Sequence, residues 1–170
     1  MTALRPLRPS DVPFLESQND DAEAAGEFSW WGHRDPGRIQ KRIDQGTTLG
    51  DDQGMLVIVD DAGEPVGELS WIKLFNGPPT HGACWNLGIW IHPSQRGRGH
   101  GSAAQRLGSA YLFEHTLLER VEASTEAGNV AEQRALERAG FTREGVLRHG
   151  WFRGGEYRDV VVFSKLRHDP

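Results

Sequence analysis

Residues 84–101 read CWNLGIWIHPSQRGRGHG. Cys84 to His92 is an apolar run closed by Pro93, the pattern of a buried strand. The last seven residues hold three glycines and two arginines. From Gly101 to His115, Ala104, Leu107, Ala110 and Tyr111 recur at helical spacing. The stretch is therefore a strand, a glycine-rich loop and a helix. A helix N-terminus presents unpaired N–H groups and roughly half a positive charge. Glycines let that backbone close on an anion, and Arg96 and Arg98 add mobile positive charge. Chemically, this is a cradle for a diphosphate.

Upstream, Thr2 to Arg8 reads as an edge strand, and Ser10 and Asp11 offer an N-cap to a short helix with Pro13 in its first turn. Residues 16–28 are acidic and weakly patterned. A second helix is expected from Asp35 to Gln45, closed by Gly46. Met55 to Val59 and Glu64 to Leu74 read as two strands joined by the turn Asp60-Asp61-Ala62-Gly63, and Phe75 to Gly82 reads as loop. Downstream, Arg120 to Thr125 is a strand and Asn129 to Ala139 a helix capped by Asn129 and followed by Gly140. Phe141 to Phe152 and Tyr157 to Leu166 form a hairpin whose adjacent glycines, Gly154 and Gly155, suit a tight turn. The alternation predicts a mixed α/β sheet with helices over residues 1–170 as a single domain.

Composition bounds the function. Of 170 residues, 37% are apolar and 25% charged, the profile of a globular chain. The net charge of −5 argues against a nucleic-acid surface. No apolar run reaches the ~20 residues of a membrane helix, and MTALRPLRPSD lacks a signal-peptide core, so a cytoplasmic protein away from membranes is expected. One cysteine, Cys84, excludes an internal disulfide, and the seven histidines are scattered, which predicts no metal site. The loop lacks the Gly-Lys-Ser/Thr ending of a triphosphate-hydrolysing loop. Gly99, Gly101 and Ala104 do satisfy a dinucleotide pattern, but Pro93 to Arg98 separate it from its strand.

With these residues in hand, the chain resembles the GNAT superfamily of N-acetyltransferases. Arg96 to Gly101 is similar to the family's Q/R-x-x-G-x-G/A loop, and Asn129 to Phe141 to its N-x-x-S-x-x-x-L-E-K-x-G-F helix. Gly145 to Arg148 and Gly155 to Val161 resemble its RimJ/RimL-type branch. The resemblance implies a GNAT fold: a mixed, mostly antiparallel sheet of about seven strands with about four helices, splayed between strands four and five. It implies acetyl transfer from acetyl-CoA to a primary amine, of a small cationic metabolite, an antibiotic or a peptide N-terminus, and possible homodimers. An acyl-CoA-binding sensor without turnover is the alternative. Acetyl-CoA would lie along Leu87, Ile89, Trp90 and Ile91, with its diphosphate on Arg96, Gly97, Arg98, Gly99, His100, Gly101 and Ser102. Asn129 would hold the pantetheine arm.

Three positions depart from the family pattern. Asn86 stands where many relatives carry a glutamate, Leu136 where many carry a tyrosine, and Glu132 where some carry a serine. Direct transfer needs a base for the amine and an acid for the departing thiolate, and no covalent intermediate on Cys84. Glu132, one helical turn past Asn129, and Glu68, on the third strand, are the catalytic candidates, with His81 as a further titratable group. In the family the first helices and the last hairpin form the acceptor wall. Glu27, Trp30, Trp31, Trp151 and Tyr157 are its candidates here, because carboxylates and aromatic faces attract a cationic amine.

Overall fold

In the computed structural model, which describes residues 1–78 and 81–169, the chain runs β1 (Ala3–Arg5), α1 (Val12–Glu16), α2 (Ala22–Ala25), α3 (Arg38–Asp44), β2 (Gln53–Val59), β3 (Pro65–Phe75) and β4 (Ala83–Ile91). It continues through α4 (His100–His115), β5 (Arg120–Glu126), α5 (Val130–Arg138), β6 (Thr142–Arg153) and β7 (Glu156–Leu166). The sheet order is β1-β2-β3-β4-β5-β7-β6. Every pair is antiparallel except β4 with β5.

Strand alternation feeds two cores. On β2, Leu56 and Ile58 join Leu69, Leu112, Leu136 and Phe163 in the larger cluster with α4 and α5, while Val57 and Val59 meet Leu15 and Ile39 of α1 and α3. Successive side chains point to opposite faces, so one strand serves both helix layers. Gly108 lets α4 close on β3, since a Cβ there would stand 2.2 Å from Leu69 Cδ2. Arg167 ties the end of α4 down by donating to the carbonyls of Phe113, Thr116 and Leu118.

Several sequence-based expectations need adjustment. The acidic stretch 16–28 contains a further helix, α2, whose N-cap Asp21 accepts from the Ala24 N–H at 2.7 Å; the α-helices number five among the described residues. Asp11 does not cap α1. Its buried carboxylate accepts instead from the Arg5 guanidinium at 2.7 and 2.8 Å and from the Arg8 N–H at 2.8 Å. The second helix starts at Arg38 rather than Asp35, because Gly37 enters it at φ 73. Pro79 and Thr80, in the expected loop, lie outside the described residues.

The site is positioned by what β4 and β5 stop doing. They pair only at Trp85↔Val121, Asn86↔Glu122 and Leu87↔Ala123. Beyond these, Gly88 to Ile91 still pair with β3 and, among the described residues, have no strand on their other side. The sheet opens there into a V whose apex is Leu87.

Candidate active site

A cleft of about 700 Å³ runs through this opening. At one end is the glycine loop. Gly97 and Gly99 take φ 75 and 84, values side chains rarely adopt, and a Cβ on either would meet nothing within 4 Å. The backbone there faces open space ahead of the sixteen-residue helix α4. That is the room and the polarity a diphosphate needs.

The side chains of the loop are more committed than the sequence implies. Arg96 is a brace, not a mobile cation: its Nε donates to the Ile91 carbonyl at 3.1 Å and its Nη2 to the Ala25 carbonyl at 3.1 Å. Burial pushes its pKa down. Trp90 Nε1 donates to the same Ala25 carbonyl at 3.0 Å. His100 is joined through Nδ1 to Thr2 Oγ1 at 3.0 Å. Arg98 is exposed and is not among the cleft-lining residues, whereas Ser102 and Gly101 are. Cations reach the cleft from α5 instead, where Ala131, Arg134, Ala135 and Arg138 form one stripe along its wall. The i, i+3, i+4 spacing was the available signal for that stripe.

Across the middle stand Leu87, Ile89, Trp90 and Ile91 on β4 and Asn129 at the start of α5. Asn129 Oδ1 accepts from the Glu132 N–H at 3.2 Å, leaving Nδ2 as the donor a ligand carbonyl can use. Glu132 lines the cleft and accepts a hydrogen bond from Gln105 Nε2. Burial raises its pKa to about 7, against that hydrogen bond. The Gln105 Oε1 is buried without a partner among the described residues. Gln105 was not foreseen, because it sits on α4, 27 residues from its partner.

At the other end lies Glu68, with Ser70 and Gly88 as neighbours on the lining. The register places Glu68 opposite Trp90 and Ser70 opposite Gly88. Glu68 Oε2 is buried and unpartnered among the described residues. Burial raises the pKa of its carboxyl, opposed by Gln18 and by Arg38, Arg34 and Arg42. Trp31 and Trp151 meet edge to face at 5.2 Å, closing this end between the α2–α3 segment and the β6–β7 hairpin. Glu27 also lines it. Trp30 does not; its ring packs on His33 at 5.2 Å. Tyr157 lines a neighbouring hollow of about 620 Å³ and stacks on His149 at 5.6 Å. His81 is absent from the cleft lining. Cys84 is buried and its pKa is pushed up to about 11, chiefly by burial, so the thiol is inert packing. Among the described residues no group of three or more His, Cys, Asp or Glu is placed to hold a metal, and no helix is long and apolar enough to cross a membrane.

A family model described as an acetyltransferase (GNAT) domain matches residues 2–142. YdaF of Bacillus subtilis (strain 168), named as a ribosomal N-acetyltransferase, is 35% identical over 83 residues, which are 49% of this chain and 45% of that protein. A mycothiol acetyltransferase of Salinispora tropica is 35% identical over 95 residues, 55% of this chain and 30% of that protein. The match thus spans less than half the length of these curated relatives. Among solved structures, spermidine N-acetyltransferase from Vibrio cholerae in complex with CoA and spermine superposes with a TM-score of 0.81 at 19% identity, covering 99% of this chain and 96% of that one. A GNAT-family acetyltransferase from Bacillus anthracis gives 0.77 at 18%, covering 98% and 95%. At such identities the likeness is one of fold alone.

Proposed function

The chain belongs to the GNAT acetyltransferase family, and from that premise we propose that residues 1–170 form one domain that moves the acetyl group of acetyl-CoA directly to a primary amine. The observation that carries the reading is the cleft itself. A glycine loop at a helix N-terminus, an unpaired stretch of β4 and two carboxyl groups of raised pKa all line one opening.

Bound acetyl-CoA supplies the thioester carbonyl that the amine attacks. The N–H groups of Arg98 to Ser102 seat the diphosphate, Arg134 and Arg138 add charge from α5, and the free edge of Gly88 to Ile91 aligns the pantetheine amides. Asn129 Nδ2 donates to that arm. Glu68, at the acceptor end, takes the proton that the ammonium must lose. Glu132 holds a proton to about pH 7 and delivers it to the departing sulfur. Two carboxyls with shifted pKa values on opposite elements divide the acid and base work. Arg96 positions rather than catalyses: it fastens the loop to α2 and so to the acceptor wall.

The test is a thermal-shift titration with acetyl-CoA, CoA and NADH, followed by CoA-release assays. Acetyl-CoA at a hundred times its Kd is expected to stabilise by about 2.7 kcal/mol, a midpoint rise of several degrees. A shift with NADH alone rejects the reading. A shift with both CoA species and no CoA release from any amine leaves the sensor.

A further inference from the structure

We propose that the acceptor of this transferase is a zwitterion, a small primary amine that also carries an oxyanion, with its ammonium on Glu68 and its oxyanion on Arg34. The inference rests on the acetyltransferase reading and names the substrate class of the same cleft.

The argument is a charge balance at the acceptor end. Glu68 lines the cleft opposite Trp90, and Gly88, two residues back along β4 and opposite Ser70, leaves the lining there without a side chain. An ammonium fits there. Behind Glu68 stand Arg38 and Arg42, one turn apart on α3. The Nε of each is buried without a hydrogen-bond partner among the described residues. Three guanidinium groups, those of Arg34, Arg38 and Arg42, act on the one carboxylate. Their attraction opposes the burial that raises its pKa, and so favours the charged carboxylate that an ammonium needs.

Arg34 differs from the other two in lining the cleft itself. It is exposed, and no hydrogen bond or ion pair to it occurs among the described residues beyond its electrostatic attraction to Glu68. Arg153, which lines the neighbouring hollow and not this cleft, is occupied: its guanidinium is paired with Glu126 and also donates to the Glu27 carbonyl. At the acceptor end Arg34 is the cation on a lining that also carries the carboxyl groups of Glu68 and Glu27; an ammonium on Glu68 and an oxyanion on Arg34 answer that arrangement.

A polyamine would fit less well. A second ammonium beyond Glu68 would meet Arg34 and the charge behind it, and like charges in contact cost affinity. The acidic sequence that suggests a polycation acceptor does not face the cleft: Asp20, Asp21 and Glu23 are absent from its lining, and Asp21 is spent on capping α2. Of that acidic segment Glu27 alone lines the opening. The overall charge of −5 is thus a poor guide to the local field, to which Arg34, Arg38 and Arg42 contribute positive charge.

The experiment measures CoA release from acetyl-CoA with three acceptor pools: the twenty L-amino acids, the matching amino-acid amides with simple monoamines, and spermidine with spermine. The expected result is turnover of the amino-acid pool at a kcat/KM at least about tenfold above the amides. Arg34→Gln should then cut that ratio about tenfold through KM, while the acetyl-CoA thermal shift persists. Preference for amides or polyamines, or a ratio that Arg34→Gln does not move, overturns the zwitterion acceptor and leaves the transferase standing. No release with any pool overturns both.

Discussion

Changing Gly26 to alanine would place a Cβ 2.2 Å from Arg96 Nη2, at a backbone φ of 88. Both effects are unfavourable, and the guanidinium would have to leave the carbonyls of Ala25 and Ile91 that it braces. We expect Gly26→Ala to lose about 1–3 kcal/mol of stability in urea titration, with weaker acetyl-CoA binding because the loop is freed. Glu132 allows a sharper test at the same scale. Its raised pKa means the fold favours the neutral acid. That contribution is whole below about 4.5 and is lost as pH rises through about 7. Glu132→Gln should therefore melt progressively higher than the parent between pH 5 and pH 8. The same substitution should lower kcat by roughly 10²–10⁴-fold and erase the alkaline limb of its pH profile near 7. An unchanged limb would remove Glu132 from the chemistry. Its presence in place of a serine is readable from the chain; its buried partner Gln105, on another helix, is not.

The strand–loop–helix element carries the cofactor end. Gly99 leads into α4 at φ 84 with open space where a side chain would stand. Gly99→Val fills the space a diphosphate needs and strains the turn, so acetyl-CoA affinity should fall about tenfold or more by calorimetric titration of the folded variant. Unchanged affinity would move the diphosphate elsewhere. Sequence reasoning locates this element well, because strand and helix periods are local and the glycine loop lies between them. It serves the short N-terminal helices less well. α1 has five residues and α3 seven, held by packing of Leu15 and Ile39 on β2 rather than by propensity. Arg38 and Arg42 stand at i, i+4 within the helix expected from Asp35 to Gln45, so their shared face is legible in the sequence. That they act on Glu68 of β3 is not, because it depends on how separate elements pack.

For the molecule as a whole, opposed titrations set the stability curve. Asp11 is held below the usual carboxylate range by the Arg5 guanidinium, and Glu144 is drawn to about 2 by Arg120 and Ser164. Depressed carboxyls stabilise above their unfolded values and lose that contribution as pH falls, whereas the raised Glu68 and Glu132 lose theirs as pH rises. The melting temperature should therefore peak near pH 5 and decline on both sides; a rise continuing to pH 8 would contradict these assignments. The sequence by itself determined the order of elements apart from α2, the glycine loop, the cap at Asn129 and the family pattern, because each depends on neighbours along the chain. Only the tertiary structure decided that Arg96 is a brace, that Arg134 and Arg138 rather than Arg98 line the cleft, and that Arg34 stands beside Glu68. Those are matters of where separate elements converge, and the parting of β4 from β5 beyond Leu87 creates the space into which they converge.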